Sequence, residues 1–321
     1  MRHNLVRHAI TGFTASHTIV MREKIFGGIE TGGTKFVCAI GTAPDDLVTT
    51  QFATTGPDES LGKAIDFFRR DGRLRQLAGI GIASFGPLDL DKDSPTYGHI
   101  TTTPKDSWSN TDVLGKIRSG LDVRAVIDTD VNGASLGELV WGAAKGLHTF
   151  VYLTIGTGVG GGGMVNGELM HGLVHPEMGH MRIPHDWRKD PYPGCCPFHG
   201  DCLEGLASGR AMALRWGQPA ENLPAGHPGW ELEAGYLALA VGNVIYVASP
   251  QRIIMGGGVM KNPGIMPAVR LKVNQCLNGY IRSDAIARDI DDYIVSPELG
   301  DLAGAIGALE LAKRITPATR R

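Results

Sequence analysis

The chain has 321 residues, which is long for a single hydrophobic core and sufficient for two lobes with a cleft between them. It carries 31 Lys and Arg against 33 Asp and Glu, a formal net charge of -2, so no broad field favours nucleic acid or an anionic membrane as partner. A small-molecule ligand fits this balance better. Glycine supplies 45 of the 321 residues, about twice its usual share, and its clusters indicate backbone turns that approach something closely.

The first part of the chain, residues 1–22, is interpreted as a disordered extension, because it has a broken apolar segment and no convincing signal-peptide cleavage site. No apolar run approaches the roughly 20 residues needed to span a bilayer. Three of the five cysteines, Cys195, Cys196 and Cys202, lie within eight positions, a spacing typical of a metal site rather than a disulfide framework. We therefore expect a reducing, cytoplasmic environment.

The first half of the folded chain begins with KIFGGIE as a strand, ETGGT as a turn and KFVCAIG as a second strand. The spacing of apolar residues predicts a helix over 58–70, and LAGIGIASFG follows as a strand. Residues 88–110 lack periodicity and are predicted to form a long loop at the end of that strand. A short helix near 111–120 and the strand VRAVIDTD come next. We expect Asn132 to cap a helix that runs to about Lys145.

The second half opens as the first does, with the strand FVYLTI, the turn GTGVGG and the strand GGMVNGE. This weak internal repeat predicts two lobes of related build. SGRAMALRWG and ELEAGYLALAVGNVIYVASP are predicted helices, and RIIMGGGVM is a strand that ends in a third glycine cluster. DLAGAIGALELAKRI is predicted to be a closing helix beside the first lobe.

Glycine clusters follow three of these strands, at Gly32 and Gly33, at 156–163, and at 256–258. Converging backbone N–H groups with no side chain in the way are what a phosphate requires. Any single cluster is as well explained by a tight hairpin. None of the three matches the GxxxxGK[ST] loop or the GxGxxG fingerprint well enough to predict those folds.

Seven segments, taken in order, resemble the sugar kinases of the ROK family (repressor, open reading frame, kinase) within the actin-like ATPase superfamily. The resemblance covers about 26–312, and its closest fit is to the ATP-dependent fructokinase branch, through ETGGTKF and DTDVNGA. The remaining segments are GIASFGPLDL, TTTPKDSW, GTGVGGGGMVNGELMHGLVHPEMGH, CPFHGDCLEGLASG and MGGGV.

The resemblance implies an α/β fold of the two-lobed actin-like ATPase (ribonuclease H-like) type, with mixed sheets flanked by helices and a zinc-braced loop. It places the N-terminal lobe at 23–130, joined by a C-terminal helix at 301–315, and the C-terminal lobe with the sugar site at 131–300. The implied activity is ATP-dependent phosphorylation of D-fructose at its 6-hydroxyl. Relatives commonly form homodimers.

Asp130 is then the base that accepts the proton of the sugar hydroxyl. An aspartate at a strand end before a helix can instead be a cap, but Asn132 is the better cap by position. A single oriented carboxylate meets what phosphoryl transfer asks of a protein base. Thr129 stands where glucokinase-type members usually have Asn, which argues against glucose and leaves mannose and N-acetylated sugars open.

The resemblance assigns sugar contacts to the carboxylates and imidazole of its ExGH and following motifs, and to residues that border the sugar: Glu177, His180, Glu204, Trp108 and Gly86. Without the family, a solvated surface charge is the better interpretation of each glutamate, and Trp108 is equally a core residue. The ATP-binding set follows the three glycine clusters: Gly32, Gly33, Thr34, Lys35, Gly156, Thr157, Gly158, Gly256, Gly257 and Gly258. Glu30 stands where the superfamily has Asp, and its expected task is to hold a hydrated Mg²⁺.

Two thiols and two imidazoles form a predicted tetrahedral, structural Zn²⁺ set, namely His180, Cys196, His199 and Cys202. Cys195 is an alternative to Cys196, and a disulfide is the alternative to a metal. If His180 binds zinc through one ring nitrogen, the other faces the sugar, so zinc would orient His180 and Glu177 together.

Two functions other than a fructokinase remain open at this point. One is a sugar-sensing transcription regulator of the same family, which requires a helix-turn-helix domain longer than the twenty-odd extra residues. The other is a noncatalytic sugar-binding protein, which the apparent base and phosphate turns disfavour. A kinase for mannose, glucose or an N-acetylated hexosamine is the nearest alternative in substrate.

Overall fold

The computed structural model describes residues 24–315, so the predicted extension at 1–22 lies outside the described residues. Within them the chain forms twelve strands: β1 (Ile25–Thr31), β2 (Lys35–Gly41), β3 (Val48–Ala53), β4 (Leu77–Ser84), β5 (His99–Ile100), β6 (Thr111–Asp112), β7 (Ala125–Thr129), β8 (Phe150–Ile155), β9 (Val159–Val165), β10 (Glu168–Leu169), β11 (Ile253–Gly256) and β12 (Ile294–Val295).

The same part of the chain forms ten α-helices: α1 (Pro57–Arg70), α2 (Val113–Leu121), α3 (Asp130–Trp141), α4 (Leu203–Ala207), α5 (Gly209–Trp216), α6 (Pro228–Ala248), α7 (Ile265–Leu277), α8 (Asp284–Ala287), α9 (Ile290–Tyr293) and α10 (Ala303–Arg314). Short 3₁₀ turns lie at Leu74–Gln76, Met178–His180, Ala220–Asn222, Val259–Lys261 and Gly300–Leu302.

The first sheet has the strand order β3-β2-β1-β4-β7. Strand β1 is antiparallel to β2 and parallel to β4, and β4 is parallel to β7. Thr31 therefore pairs with Ser84, and Ser84 pairs with Thr129, at the carboxyl ends of the three parallel strands. The residues that follow these three strands therefore lie at the same edge of the sheet. This arrangement brings the first glycine turn, the Gly86 loop and Asp130 together.

The second sheet has the order β10-β9-β8-β11-β12 and repeats the plan of the first. An antiparallel hairpin, β8 with β9, again lies beside a parallel neighbour, β11. Thr154 of β8 pairs with Gly256 of β11, so the second and third glycine clusters leave neighbouring strands at the same edge. The mixed sheets and flanking helices confirm the predicted α/β class, and the shared plan explains the internal repeat in the sequence.

The closing helix α10 packs against β1, β4 and α3. Two glycine positions allow its backbone to come close. A Cβ atom added at Gly81 would lie 1.7 Å from the carbonyl oxygen of Ala308, and one at Gly307 would lie 1.6 Å from that of Gly133. The helix is therefore in backbone contact with both the sheet and α3.

The helix predicted to begin under an Asn132 cap differs from the observed α3. Thr129 is the cap, since its hydroxyl accepts a hydrogen bond from the Asn132 backbone N–H at 3.1 Å. Asp130 is the first helical residue, and the helix ends at Trp141 rather than near Lys145. Asn132 does not cap the helix because its side chain is fully buried and its amide donates to Asp128 at 2.9 Å.

Helix α6 packs in the core beside the second sheet, where its buried residues form a cluster with β8, β11 and α7. Contrary to the expectation from the sequence that no apolar run is long enough, α6 is the one helix among the described residues that is long and apolar enough to cross a membrane. However, 56% of its most apolar window is buried in the protein, so packing in this core accounts for its apolar composition.

Candidate active site

The predicted base, Asp130, lies half-buried where β7 passes into α3. Its Oδ1 atom accepts a hydrogen bond from the Val131 backbone N–H at 2.9 Å, and the amino end of the helix favours a negative charge there. Burial nevertheless raises the pKa of Asp130 to about 6, because the charged form loses hydration. The carboxylate is therefore ionised at neutral pH and is still a competent proton acceptor.

Glu30 lies on β1 and lines the same cavity as Asp130. Its Oε2 atom is buried and has no hydrogen-bond partner within residues 24–315. Burial, followed by the charge of Asp130, raises the pKa of Glu30 to about 7. An unpaired carboxylate oxygen beside a second carboxylate suits an oxygen-preferring cation or its bound water, so the residues present fit the expected Mg²⁺.

The cavity that these carboxylates share has a volume of about 850 Å³. Six of the ten predicted ATP-binding residues line it: Thr34, Lys35, Gly156, Thr157, Gly257 and Gly258. The other four, Gly32, Gly33, Gly158 and Gly256, shape the turns and are not among its lining residues in the described chain. Residues of all three glycine turns thus line one cavity.

The first two glycine turns touch each other across this cavity. The hydroxyl groups of Thr34 and Thr157 are 2.9 Å apart, within hydrogen-bond distance. A hydrogen bond from α5 also stabilises the second turn, since the backbone N–H of Gly209 donates to the Gly156 carbonyl at 2.7 Å. The third cluster must contain glycine at 257, where φ is +97° and an added Cβ would lie 2.3 Å from the Ile155 carbonyl oxygen.

Six further polar residues line the cavity and were not predicted as site residues from the sequence. Lys35 lies 3.9 Å and Lys261 lies 2.9 Å from the Asp301 carboxylate, so two cations from different parts of the chain meet one acid. The signal that could have found Lys261 is its position three residues after the third glycine cluster. The unpredicted polar lining residues are Tyr152, Thr154, Arg210, Glu221, Lys261 and Asp301.

Glu177 begins the 3₁₀ turn Met178–His180 and lies between two imidazoles. Its Oε1 atom is 3.5 Å from Nδ1 of His175, and its Oε2 atom is 4.0 Å from Nε2 of His180. Burial, and then the charges of Asp130 and Glu204, raise the pKa of Glu177 to about 7. These charges place Glu177, Asp130 and Glu204 in one electrostatic neighbourhood.

Glu204, in the first turn of α4, supports the second glycine turn. Its Oε2 atom accepts a hydrogen bond from the Val159 backbone N–H at 3.0 Å, and a Cβ added at Gly158 would lie 2.5 Å from that oxygen. One oxygen of Glu204 is therefore committed to the turn. Gly86 lies against the His175 ring, which an added Cβ would approach to 3.3 Å.

Trp108, predicted to contact the sugar, is a core residue, and that prediction is wrong for the observed conformation. Its side chain is fully buried, and its indole N–H donates to the Thr55 carbonyl at 2.8 Å. The ring packs against Phe36 and Phe85 at centroid distances of 5.8 and 5.2 Å. With no exposed surface, it cannot touch a ligand.

The predicted zinc ligands come together as a compact group. One ligand atom each from His180, Cys196, His199 and Cys202 lies within 4.8 Å of all the others. Nδ1 of His180 is 3.7 Å from the Cys196 Sγ and 3.6 Å from the Cys202 Sγ. A tetrahedral Zn²⁺ with ordinary Zn–N and Zn–S bonds separates such atoms by about 3.6 Å, so the donors fit this ion.

Cys195 is outside this group, so of the two adjacent cysteines it is Cys196 whose thiol lies beside His180, His199 and Cys202. Its backbone N–H donates to the Gly205 carbonyl at 3.0 Å. The five cysteines are all free thiols, so the alternative of a disulfide is not observed. His180 turns its Nδ1 atom toward the thiols, 3.6 Å from the Cys202 Sγ, and its Nε2 atom toward Glu177.

A second polar network, not predicted from the sequence, connects the end of β7 with the segment after β10. His171 Nε2 lies 2.9 Å from the Asp128 carboxylate, which raises the pKa of His171. Asn132 joins the network by donating to Asp128 and by accepting from the Gly163 backbone N–H at 3.2 Å. The repeated histidines in HGLVHPEMGH were the available signal.

Comparison with known proteins agrees with this geometry. The chain is 46% identical over 289 residues to a putative fructokinase of Bacillus subtilis, with 90% of this chain and 95% of that protein covered. It is 46% identical over 300 residues to a fructokinase of Zymomonas mobilis, with 90% and 97% covered. A ROK family glucokinase from Streptomyces griseus, solved with glucose and AMPPNP, has the same fold, with a TM-score of 0.73 at 22% identity over 90% of this chain and 99% of that one.

The model of the ROK family matches residues 26–315, almost all of the described chain. With that match and relatives at 46% identity over nearly their whole length, the chain belongs to the ROK family.

Proposed function

We propose that this protein is an ATP-dependent fructokinase (ATP:D-fructose 6-phosphotransferase). The observation that carries the proposal is the 46% identity to two fructokinases across at least 95% of their length. The site supports it, because the Asp130 carboxylate and residues of all three glycine turns line one cavity, and the charges of Asp130 and Glu204 act on Glu177.

Asp130 is proposed as the general base. The fructose 6-hydroxyl oxygen forms a bond to the γ-phosphorus of ATP, the bond to the β,γ-bridging oxygen breaks, and ADP leaves. Asp130 takes the hydroxyl proton as the new bond forms, so its carboxyl group must be ionised at the working pH. With a pKa of about 6, that state dominates at pH 7 and above.

Glu177, His180 and Glu204 are proposed to bind the sugar hydroxyls, with the Gly86 loop closing the other side. Carboxylate oxygens that are already oriented by protein donors discriminate against sugars that lack a hydroxyl at the matching place, because the buried acceptor is then left unpaired. Trp108 is excluded from this set by its burial.

The ATP phosphates are proposed to lie on the turns at Gly32–Thr34 and 156–158, with Lys35 beside them and the nucleoside near 256–258. Glu30 would hold Mg²⁺ directly or through water, and the ion would supply charge neutralisation at the phosphates. Thr34 and Thr157 already meet at 2.9 Å, which supports a single phosphate region formed by both turns.

A structural Zn²⁺ is proposed at His180, Cys196, His199 and Cys202. When bound, it would fix the loop that carries Glu177. We also propose the two-lobe division at 23–130 and 131–300 with the 301–315 helix joined to the first lobe, a homodimeric assembly, and a cytoplasmic location.

The test is coupled ATP turnover with fructose, mannose, glucose and N-acetylmannosamine at pH 7.5. We expect the highest kcat/KM with fructose. A higher value with another of these sugars would overturn the choice of substrate but keep the kinase. Absence of turnover with all four would overturn the kinase.

A further inference from the structure

His175 is a buried histidine with a partner at each ring nitrogen, and its side chain is 5% exposed. Its Nε2 atom lies 2.9 Å from the Leu88 backbone nitrogen. A backbone N–H can only donate, so Nε2 accepts and carries no proton. The ring proton of the neutral imidazole is therefore on Nδ1, which faces the Pro176 carbonyl at 3.4 Å and the Glu177 Oε1 atom at 3.5 Å.

The two partners of His175 belong to different parts of the fold. Leu88 follows β4 of the first sheet and is buried in that core, whereas Glu177 precedes the Cys/His loop of the second unit. The ring also packs on Gly86, where an added Cβ would lie 3.3 Å from two of its atoms. His175 thus connects the loop that borders the proposed sugar site to the carboxylate on its opposite side.

Glu177 is consequently flanked by two histidines that are anchored in different ways. His180 turns its Nδ1 atom to the thiols of the Cys/His group and its Nε2 atom to Glu177 Oε2. His175 turns its Nε2 atom to the Leu88 backbone and its Nδ1 atom to Glu177 Oε1. Each carboxylate oxygen therefore has its own imidazole, and the orientation of the carboxylate depends on both anchors.

Burial and the contact with Leu88 favour the neutral form of His175. Burial lowers the pKa of His175, while the pair formed by Asp128 and His171 contributes two opposing influences, one from each charge. Protonation would place a second donor against the Leu88 N–H at 2.9 Å, which is unfavourable. The observed contact is compatible only with the uncharged ring.

We propose that His175 is a positioning residue that orients Glu177 against the Gly86–Leu88 loop and thereby contributes to selectivity among hexoses. This inference rests on the proposed sugar kinase function. The residue acts through Glu177 rather than on the sugar, so its removal should weaken sugar binding and selectivity more than it weakens ATP binding.

Two substitutions separate the two contacts. In His175→Gln, the side-chain oxygen can accept from Leu88 N–H but no donor remains at the Nδ1 position. In His175→Asn, a donor can remain near Glu177 while the link to Leu88 is lost. His148→Gln, at an exposed histidine outside the cavity lining, is the matched control.

For both His175 variants we expect KM for fructose to rise about tenfold, the fructose-to-mannose ratio of kcat/KM to fall, and KM for ATP to stay within about twofold. The control should match the wild type. A purely structural role would lower Tm and the active fraction but leave KM for fructose and the sugar ratio unchanged, and that result would overturn the proposal.

A measurement on the unmodified protein covers the case in which the variants do not fold. ¹⁵N NMR of labelled histidines at pH 7.5 should show one buried neutral imidazole with its proton on Nδ1. This signal is assigned to His175 through its contact with Leu88 or, where the variant folds, by its absence from the spectrum of His175→Gln. A proton on Nε2 would overturn the proposal. If the wild type does not phosphorylate fructose, the proposed function fails, whereas the tautomer result still stands or falls separately.

Discussion

Asp130→Asn is the substitution that most directly tests the proposed chemistry. Asparagine has the same shape, and its side-chain oxygen can keep the hydrogen bond from the Val131 N–H that Asp130 accepts at 2.9 Å. The cap of α3 is formed by Thr129 and does not involve the altered group. The fold should therefore be retained while the proton acceptor is removed.

The expected loss in kcat follows from the role and the charge state of Asp130. General-base catalysis contributes about 10²- to 10⁴-fold, or roughly 3 to 5 kcal/mol of transition-state stabilisation. With its pKa at about 6, the wild-type carboxylate is about 97% ionised at pH 7.5, so the comparison at that pH measures almost the full contribution. Below pH 6 the wild-type kcat/KM should fall about tenfold per pH unit.

The charge of Asp130 also acts on its neighbours. It contributes to the raised pKa of Glu30 and of Glu177, each about 7 in the wild type. Asp130→Asn should lower the pKa of both groups, because the repulsion against their ionised forms is removed. The pH dependence of fructose binding should therefore shift to lower pH in this variant.

The assay combines steady-state coupled turnover at pH 7.5 with calorimetric titration of fructose. We expect kcat to drop by 10²- to 10⁴-fold and the Kd for fructose to stay within about threefold. Asp122→Asn, at the exposed left-handed C-cap of α2, is the isosteric control. A kcat within tenfold of the wild type would refute the base assignment, and a large loss of fructose affinity at normal kcat would make Asp130 a binding residue instead.

Three further predictions concern stability and the metal. Cys202→Ser should abolish Zn²⁺ content measured by elemental analysis and lower Tm; a metal-free variant with wild-type Tm and KM for fructose would refute the structural role. Glu233 is buried in α6, and burial raises its pKa to about 8. The free energy of unfolding should therefore fall as pH rises from about 4.5 to 8, by about 1.4 kcal/mol per pH unit, because the unfolded chain releases the Glu233 proton in this range while the folded protein keeps it. Glu233→Gln should flatten that slope in urea unfolding, and an unchanged slope would contradict the assignment. Gly307→Ala should destabilise by several kcal/mol, since the new methyl meets the Gly133 carbonyl oxygen at 1.6 Å, whereas Gly235→Ala, with open space around it, should be neutral or mildly stabilising in the same thermal melts.

Strand β3 and helix α7 were not predicted, for different reasons. The residues of β3 are largely exposed and lie at the sheet edge beside β2, so their apolar pattern is weak and pairing with β2 outweighs local preference. Helix α7 does have an apolar pattern, since its buried Ile265, Val269, Val273 and Leu277 recur every four residues, so the signal for this helix was available in the sequence.

The side-chain roles that failed have one physical cause in common. Thr129 and Asn132 are both good caps by residue type, and the buried contact with Asp128 decides between them. Trp108 and its motif lie where a sugar contact was expected, but packing against Phe36 and Phe85 turns the ring inward. Sequence position places a residue near a site, whereas the direction of its side chain depends on neighbours that are distant in sequence.

The adjacent cysteines illustrate the same limit at a finer scale. Cys195 and Cys196 have identical chemistry, and only the turn that brings Cys196 N–H to the Gly200 carbonyl at 3.2 Å selects which thiol faces His180. The composition of the metal site was therefore predictable from spacing, but the identity of one ligand was not.

The proximity of Glu30 and Asp130 has a cause that lies outside the active-site motifs. Glu30 is on β1, two residues after Gly28, where an added Cβ would lie 2.2 Å from the Ala305 carbonyl oxygen. Residues two apart on a strand share a face, so the side chain of Glu30 points to α10 as well, and a Cβ at Gly304 would be 2.4 Å from its carboxyl carbon. The backbone of α10 at Gly304 therefore lies directly against the Glu30 side chain.

Helix α3, which begins with Asp130, approaches α10 in the same way. An added Cβ at Gly137 would lie 2.6 Å from the Ala303 carbonyl oxygen, and larger residues on either helix would hold the two apart. Dehydration is the largest cause of the raised pKa values of Asp130 and Glu30, and for Glu30 the contact with Gly304 of α10 removes water from one side of the carboxyl group. The glycines of β1 and α10 thus act on the chemistry as well as on the fold, since widening their contacts would hydrate Glu30 and return its pKa toward that of a free side chain.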